Sequence, residues 1–185
     1  CKSENLVQFA IMGSVYMHNV LGINNPTVGL ISNGEEEGKG NDLTKSTFLQ
    51  LKNAPVNFIG NIEGRDVMEG NADVMTCDGF VGNVILKLYE GVGATLIAKV
   101  KEGMMTTLRS KIGALLVKPA LKKTLKSFDA SEYGGAPLLG LNGLVVKTHG
   151  SSKAKEVKNT LIQCVTFKEQ NINEKIEDII SLSDK

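Results

Sequence analysis

The stretch TVGLISNGEEEGKGNDLTKSTFLQLK, residues 27–52, decides the predicted fold because its pattern changes twice. Its first five residues form a short apolar run typical of a buried strand, and the next ten are rich in Gly, Glu and Asn. The last part, 42–52, has the apolar spacing of an amphipathic helix. A strand, a polar loop and a helix in this order are the start of a βαβ unit.

The same order recurs three more times along the chain. Apolar runs at 56–60, 72–77 and 143–149 are each followed by a polar loop and then by a helical pattern. The corresponding helices are predicted at 65–69, from about Asn83 onward, and at 154–171. Short apolar strands that alternate with helices indicate an α/β fold with a mostly parallel sheet.

A further helix is predicted before the first strand, over 4–20, with Ser3 as its N-cap and Gly22 just past its end. The chain is long enough to form one domain with a substantial core. We therefore expect a single α/β domain over 1–173. The remaining residues, 174–185, are expected to form a C-terminal tail.

Composition excludes several classes of function. The 185 residues carry a net charge of +1 and no Trp, which argues against a nucleic-acid-binding protein. Three widely spaced cysteines argue against a disulfide framework and a zinc site, and they suit a reducing cytoplasm.

No stretch is expected to reach the roughly 18 apolar residues of a membrane span. Because Cys1 stands where an initiator Met would, inside a helical pattern, we expect a fragment or a processed chain.

The loops after the four predicted strands are candidates for a binding site. In a parallel sheet, ligands bind in the crevice beyond the carboxyl ends of the strands. The four loops are rich in Gly, Asn and Ser, and each leads into a predicted helix. Unpaired N–H groups and the helix dipole favour negative charge at such helix starts, so an anion site is predicted. The loops are 33–41, 61–64, 77–83 and 149–152.

The most polar of these loops, GEEEGKGND at 34–42, has two interpretations. It could be a solvated connection in which Asp42 caps the next helix. Alternatively, Lys39, flanked by Gly38 and Gly40, reaches a phosphate as a point charge. The order of residues is not that of a P-loop.

Three other side chains near strand ends could take part in chemistry. His149 ends the fourth predicted strand before Gly-Ser-Ser, and the functional and structural interpretations carry equal weight. Cys77 is either a thiolate nucleophile or a small buried residue, and the absence of a recognisable base favours the second. Asp78 would repel an anion, so it is expected to hold its loop or to handle a proton. His18, within the first helix, is assigned no role.

Residues 91–128 differ in kind from the rest of the chain. They contain eight basic residues and one acidic residue, Glu102. At helical spacing the apolar residues share one face, and Pro119 is expected to break the helix into two pieces. The segment is either a helical hairpin that packs on its own domain or a dimer mate, or a basic amphipathic surface for anionic lipid or an acidic protein.

Five motifs in register resemble the PlsX family of phosphate acyltransferases in bacterial phospholipid synthesis. The resemblance runs from about Asn5 to Val165 and covers roughly the C-terminal half of that family's usual chain. The motifs are LVQFAIMGSVYM (6–17), GEEEGKGNDLTK (34–45), NFIGNIEGRDV (57–67), CDGFVGNVILK (77–87) and GAPLLGLNGLVVKTHGSS (135–152).

The resemblance implies a fold, a reaction and partners. The fold would be an α/β/α sandwich with helices on both faces of the sheet, like phosphotransacetylases and isocitrate dehydrogenases, plus a protruding helical hairpin. The reaction would convert an acyl-carrier-protein thioester and inorganic phosphate to acyl phosphate, without metal or organic cofactor. A cytoplasmic homodimer that visits the anionic membrane surface is expected.

Under this reading each candidate residue receives a role. Lys39 and Asn83 would bind phosphate, and Gly79 and Gly82 would permit its close approach. His149 or Lys87 would stabilise the oxyanion or the departing sulfur, oriented by Asp78 and Asn61. The remaining phosphate-binding candidates are Gly34, Gly40, Asn41, Gly150 and Ser151. The candidates for the membrane- or carrier-facing surface are Leu108, Arg109, Ile112, Leu115, Leu116, Lys118 and Lys122.

Two alternatives and one departure remain. The chain could be a phosphotransacetylase-type enzyme for short acyl-coenzyme A, or a non-catalytic module that docks on a membrane or carrier. The departure is Ser32-Asn33, where the family more often has Asn followed by an apolar residue. Both residues are therefore left out of the predicted site.

Overall fold

A computed structural model describes residues 1–126, 134–150 and 152–183 of the chain. The chain divides into two compact units. The first unit consists of Cys1–Gly79 and Gly134–Lys185, and the second of Phe80–Tyr133. Each unit is described by itself below.

A three-stranded parallel sheet forms the centre of the first unit. Strands β1 (Thr27–Ile31), β2 (Asn57–Ile62) and β3 (Val74–Thr76) lie in the order β2-β1-β3. The central strand β1 is the most buried, because its residues Val28 and Leu30 have no exposed surface. The predicted α/β class, with a parallel sheet flanked by helices, is confirmed.

Helices α1 (Ser3–Leu21) and α2 (Asp42–Leu51) pack against this sheet. Their buried side chains form one core cluster with the strands, made of Leu6, Ala10, Phe48 and Leu51 together with Val28, Leu30 and Val74. Helix α1 begins one residue earlier than predicted, so that Lys2 is the N-cap and Ser3 lies within the helix. Gly22 ends the helix in the left-handed conformation, with φ of 72°, as its position in the sequence predicts.

A helix occupies most of the expected C-terminal tail. After α6 (Ala154–Glu169), helix α7 spans Ile172–Ser183 and packs on α1. Ile172 and Ile176 are buried in a second core cluster with Ile11, Val15 and Phe167. The apolar spacing of α7 thus completes the core of the first unit, and the expectation of a tail over 174–185 is wrong for 174–183.

The fourth predicted strand does not join the parallel sheet. Within 143–149 only β5 (Val146–Lys147) forms, and it pairs antiparallel with β4 (Ala136–Pro137). The two strands are separated by only the residues 138–145, too few for the crossover of a dozen or more residues that parallel pairing requires. A small separate hairpin is therefore the geometry that this part of the chain can form.

Helices α4 (Gly79–Met104) and α5 (Leu108–Lys126) form the second unit, and a four-residue helix, α3 (Asp66–Glu69), belongs to the first. Helix α4 starts four residues earlier than predicted, because glycines are tolerated in a first turn whose N–H groups have no intrahelical acceptor. Within the described part of this unit, α4 and α5 make no more than marginal contact with each other.

Two further expectations about these helices are corrected. Helix α5 continues through Pro119 and is not broken there. Because Pro119 has no N–H, the carbonyl of Leu115 loses its helical hydrogen bond. Leu115 is exposed, so water can bond to this carbonyl instead. Helix α4 has 26 residues and is long and apolar enough to cross a membrane. This is a match of length and composition only, and soluble proteins contain helices that pass the same test.

Candidate functional site

The carboxyl ends of β1 and β2 meet the N-terminus of α2, and this junction is the best-formed part of the candidate site. The ladder between the two strands extends one residue past β1, where the Ser32 N–H donates to the Ile62 carbonyl at 2.8 Å. The loop 33–41 leads from there to α2. Loop 33–41 thus connects the carboxyl edge of the sheet to the start of a helix, as predicted for the four crevice loops.

Asn41, and not Asp42, caps α2. Its side-chain oxygen accepts the Thr44 N–H at 3.0 Å, and the Thr44 hydroxyl donates to the Asn41 carbonyl at 3.0 Å. Because the cap uses the Asn41 side chain, the predicted phosphate-binding role of this residue is limited to its backbone. The N–H groups of Asp42 and Leu43 in the first turn have no intrahelical acceptor and are the donors that an anion could use.

Gly40 brings the loop against this cap. It has φ of +102°, and a Cβ at this position would lie 1.9 Å from Thr44 Oγ1 and 2.9 Å from Ser32 Oγ. Both the left-handed conformation and the lack of space therefore require glycine. The predicted importance of Gly40 has this steric origin, and direct binding of phosphate is not needed to explain it.

Lys39 is exposed, and its ammonium makes no ion pair within the part of the chain that the structure describes. Two of the three carboxylates of the same loop are held by other cations, since Arg65 pairs with Glu35 at 2.9 Å and Lys52 pairs with Glu37 at 2.7 Å. The third, Glu36, lies near Gly34, as the Lys39 stem does. The hydrogen bond from Arg65 to Glu35, followed by the charge of Glu63, raises the pKa of Arg65. The Lys39 stem lies across the buried Gly34, where a Cβ would come within 2.7 Å of Lys39 Cγ. The loop thus presents Lys39 as an available positive charge.

Two buried oxygens at this junction have no hydrogen-bond partner in the described structure, and they are Ser32 Oγ and Asn61 Oδ1. Asn61 is 6% exposed, and its amide nitrogen donates to the Glu36 carbonyl at 2.9 Å. An unsatisfied buried polar group costs about 1–3 kcal/mol. Asn61 was predicted as an orienting residue, whereas Ser32 was left out. The signal for Ser32 in the sequence is its position directly after a buried strand and before a Gly-rich loop.

The other candidates around α4 lie partly in the second unit. Asp78 and Gly79 end the first unit, whereas Gly82, Asn83 and Lys87 belong to the second. Gly79, Gly82 and Asn83 lie in the first turns of α4 and not in a loop before it, which corrects the predicted helix start. Lys87 is exposed and forms an ion pair with Glu90 at 2.9 Å, so its charge is partly neutralised.

His149 and Gly150 follow the small hairpin and not a strand of the parallel sheet. The prediction that these residues lie beside Lys39 assumed that both follow strands of one parallel sheet, and this assumption does not hold for His149 and Gly150. His149 is exposed, and its carbonyl accepts the Ser152 N–H at 3.0 Å. Helix α6 starts beyond them, with Lys153 as N-cap and the Glu156 side chain accepting the Lys153 N–H. Ser151 lies outside the described residues.

The predicted membrane- or carrier-facing residues all lie on α5. Leu108, Leu115 and Leu116 are 75%, 70% and 76% exposed. Ile112 and the basic residues Arg109, Lys118 and Lys122 are exposed as well. The second unit therefore carries uncovered apolar side chains interspersed with positive charge.

A family model described as fatty acid synthesis protein matches residues 1–175. The chain belongs to this family. Curated relatives within it carry the name phosphate acyltransferase, as the resemblance to PlsX predicts. The chain is 51% identical over 176 residues to the one from Clostridium acetobutylicum and 53% identical over 178 residues to the one from Campylobacter jejuni subsp. doylei. It is 50% identical over 176 residues to the one from Brevibacillus brevis.

These matches cover 95%, 96% and 95% of this chain, but only 53%, 54% and 52% of the relatives. The chain spans about half the length of the curated relatives it matches, and the matched half is their C-terminal part. The match to the fatty acid synthesis protein family therefore includes nearly every helix and strand described above.

Among the described residues, no group of three or more His, Cys, Asp or Glu side chains could hold a metal ion. Cys1, Cys77 and Cys164 are not joined in disulfides. The chemistry that this arrangement can perform is binding and polarisation of an anion by N–H groups, an ammonium and buried polar oxygens.

Proposed function

We propose that this chain acts in the transfer of a long acyl group from acyl carrier protein to inorganic phosphate, which yields acyl phosphate for phospholipid synthesis. Support comes from the family and from the name phosphate acyltransferase that its relatives carry. The single observation that carries the proposal is the junction of β1, β2 and α2, where the loop that carries Lys39 leads into first-turn N–H groups of α2 that have no intrahelical acceptor.

The reaction needs few groups from the protein. A phosphate oxygen attacks the thioester carbonyl carbon and forms a C–O bond, and the carbonyl oxygen takes up the negative charge. Collapse of this intermediate breaks the C–S bond, and the carrier thiolate leaves with the electron pair and is then protonated. Since phosphate is already anionic and a thiolate is a good leaving group, positioning and oxyanion stabilisation dominate catalysis.

In this proposal Lys39 and the first turn of α2 hold the phosphate. A Lys ammonium and helix N–H groups both act on a phosphate without transferring a proton, so they suit a substrate that must remain nucleophilic. Asn83 lies in the second unit, so its role in binding phosphate stays a prediction from the sequence. His149 is proposed to stabilise the oxyanion or the leaving sulfur, with Asp78 as an orienting group. The same role for Lys87, which lies in the second unit, stays a prediction from the sequence.

The second unit is proposed to meet the partners of the reaction. The exposed Leu108, Leu115 and Leu116 can enter the apolar boundary of a bilayer, while Arg109 and Lys118 meet anionic headgroups. Peripheral association with the cytoplasmic side of the membrane would deliver a lipid-like product directly to its site of use. The same positive charge would attract an acidic carrier protein.

Helix α4 supports the proposal of a homodimer. None of its 26 residues is buried. Even its large apolar side chains are exposed, with Phe80, Leu88 and Leu96 at 80%, 64% and 62%. An apolar surface of this extent is typical of an interface. A second copy of the chain would cover it.

The proposed activity is tested by trapping acyl phosphate with hydroxylamine. The protein, as the 185-residue chain and as the complete product of its natural coding sequence, is incubated with phosphate and a long-chain acyl-carrier-protein thioester. Short acyl-coenzyme A is supplied in parallel. We expect hydroxamate from the long-chain carrier substrate and only when phosphate is present.

The other outcomes separate the alternatives. Hydroxamate from the short coenzyme A ester alone would contradict the proposal and favour a phosphotransacetylase-type enzyme. If neither form of the protein yields product although both bind carrier or anionic vesicles, the docking module is the correct interpretation.

A further inference from the structure

The unpartnered oxygens Ser32 Oγ and Asn61 Oδ1 lie on one face of the sheet at its carboxyl edge. Leu30 is the register partner of Asn61 in the neighbouring strand, and Ser32 follows Leu30 by two residues. Side chains two residues apart on a strand project from the same face. Both side chains therefore project from the face of the sheet on which Leu30 packs with α2, and Ser32 Oγ lies next to Gly40.

The orientation of the Asn61 amide is determined by its hydrogen bond. The amide nitrogen must face the Glu36 carbonyl, because a carbonyl can only accept. Asn61 Oδ1 is then turned away from this contact and can only accept as well. Any group that satisfies it must donate a proton. Ser32 Oγ is less selective, since a hydroxyl both donates and accepts.

The neighbouring groups of the junction have the opposite character. The N–H groups of Asp42 and Leu43 and the Lys39 ammonium are all donors, which suit the unprotonated oxygens of an anion. A site that combines several donors with one obligate acceptor fits an oxyanion that still carries a proton. At neutral pH hydrogen phosphate has at least one P–O–H group, whereas sulfate has none.

Loop 33–41 covers both oxygens in the structure. The Glu36 carbonyl is held by Asn61, and Gly40 lies against Ser32. Neither oxygen is accessible to solvent. Entry of a ligand therefore requires this loop to lift, which couples binding of the anion to a movement of the segment that carries Lys39.

We infer that Ser32 and Asn61 form the part of the anion site that selects hydrogen phosphate over sulfate, with Asn61 Oδ1 as the acceptor of the P–O–H proton. This inference rests on the proposed function, since it concerns the phosphate of the same reaction. It assigns a specificity-determining role to Asn61 and adds Ser32 to the site.

The inference is tested by isothermal titration of the full chain with sodium phosphate and with sodium sulfate at matched ionic strength. We expect wild type to bind phosphate at least about tenfold more tightly than sulfate, the effect of one hydrogen bond in a charged site. Asn61→Leu, which removes the acceptor, should bring this ratio close to one. Ser32→Ala should weaken phosphate binding about tenfold, and Ser46→Ala, an exposed serine on α2, should change neither affinity.

Each result has a distinct meaning. Equal affinity of wild type for the two anions would overturn the inference and leave the proposed function intact. An unchanged ratio in Asn61→Leu, with the thermal transition preserved, would overturn it as well. If Asn61→Leu does not fold, an unchanged phosphate affinity in Ser32→Ala overturns the inference. Absence of phosphate binding in wild type would overturn both the inference and the proposed function.

Discussion

Lys39 is the residue on which the proposed chemistry depends most directly, because its loop carries a positive charge that no described side chain neutralises. Replacing it with Ala removes one charged hydrogen-bond donor from the phosphate. We expect Lys39→Ala to lower kcat/KM for phosphate by about 10- to 100-fold, the loss typical of a charged hydrogen bond. Steady-state kinetics with varied phosphate measure this change.

Lys45→Ala is the matched control for this substitution. Lys45 is also exposed, and it lies within α2, beyond the first-turn N–H groups that would bind the anion. Its replacement should leave the phosphate dependence unchanged. If Lys39→Ala behaved like this control, with kcat and KM both unaltered, the role given to Lys39 would be wrong.

At the same scale, Asp73 links the starts of β1 and β3. Its carboxylate accepts the N–H and the hydroxyl of Thr27 at 2.8 and 2.7 Å, and these bonds, the backbone one first, lower the pKa of Asp73. The carboxylate therefore stabilises the fold at pH values above its unfolded pKa of about 3.8, and this contribution is lost as the pH falls through the lower folded value.

We expect Asp73→Ala to lower Tm by about 2–4 °C at neutral pH, because the substitution removes two hydrogen bonds to a charged group. The difference from wild type should shrink as the pH falls below the folded pKa of Asp73. Thermal unfolding followed by circular dichroism at several pH values measures it. Asp178→Ala, at an exposed position of α7, is the control, and an equal effect of both substitutions would contradict the account.

What the sequence can and cannot predict is clearest among these residues. Gly40 and Asn41 are predictable as functional or structural, because Gly and Asn after a buried strand mark a turn and a cap. Ser32 is marked in the sequence only by its position after a buried strand, because the role proposed for it depends on an oxygen that packing leaves without a partner. Which residue caps α2 was also missed, because Asn41 and Asp42 are both good caps and only the geometry distinguishes them.

At the scale of elements, α7 illustrates how core packing overrides a polar sequence. Ile172 and Ile176 are 0% and 4% exposed, although EKIEDIISLSDK is rich in charge. We expect Ile176→Ala to lower the free energy of unfolding by about 2–5 kcal/mol, the cost of a cavity in a packed core. Chemical denaturation monitored by circular dichroism measures this loss.

Leu182→Ala provides the matched control within the same helix. Leu182 is 70% exposed, so its truncation should change the free energy of unfolding by no more than about 0.5 kcal/mol. Equal effects of the two substitutions would mean that α7 does not belong to the core of the first unit.

Helix α5 supports a prediction about membranes. Leu115 and Leu116 are exposed beside Lys118 and Lys122, so both apolar insertion and charge attraction are available. We expect the double substitution of Leu115 and Leu116 by Asp to weaken binding to vesicles of anionic phospholipid at least about tenfold, because two buried leucines contribute several kcal/mol. Vesicle sedimentation gives the affinities.

The control for this helix places the same charges elsewhere. Leu161 and Ile162 of α6 are 63% and 54% exposed, and their double substitution by Asp adds equal charge in the first unit. It should reduce vesicle binding much less. If wild type does not bind anionic vesicles, or if both double variants bind as weakly as each other, α5 is not the membrane surface.

Among the elements, the long or strongly patterned ones were predictable and the short ones were not. Helices α1 and α2 and strand β1 occur at or within two residues of their predicted bounds. The run GLVVKTH was assigned to the parallel sheet because it is apolar, but an apolar run does not identify its pairing partner. The short connection 138–145 accounts for the antiparallel pairing of β4 and β5, but it does not exclude pairing of β5 with the parallel sheet.

At the scale of the whole molecule, the residues proposed to bind phosphate and those proposed to bind the membrane belong to different units. The first carries the parallel sheet, the α2 cap and Lys39, and the second carries the apolar and basic residues of α5. The α/β class and the family follow from the sequence, because five motifs preserve their order. The division into units does not, since it depends on which helices find packing partners.

The most direct test of the central claim follows the phosphate oxygens through the reaction. Long-chain acyl-carrier-protein thioester is incubated with phosphate labelled with oxygen-18, and the products are examined by phosphorus NMR and mass spectrometry. The account predicts acyl phosphate that retains all the labelled oxygens and one free carrier thiol released for each acyl phosphate formed. Release of thiol with unlabelled fatty acid, at a rate independent of phosphate, would identify a thioesterase and contradict the account.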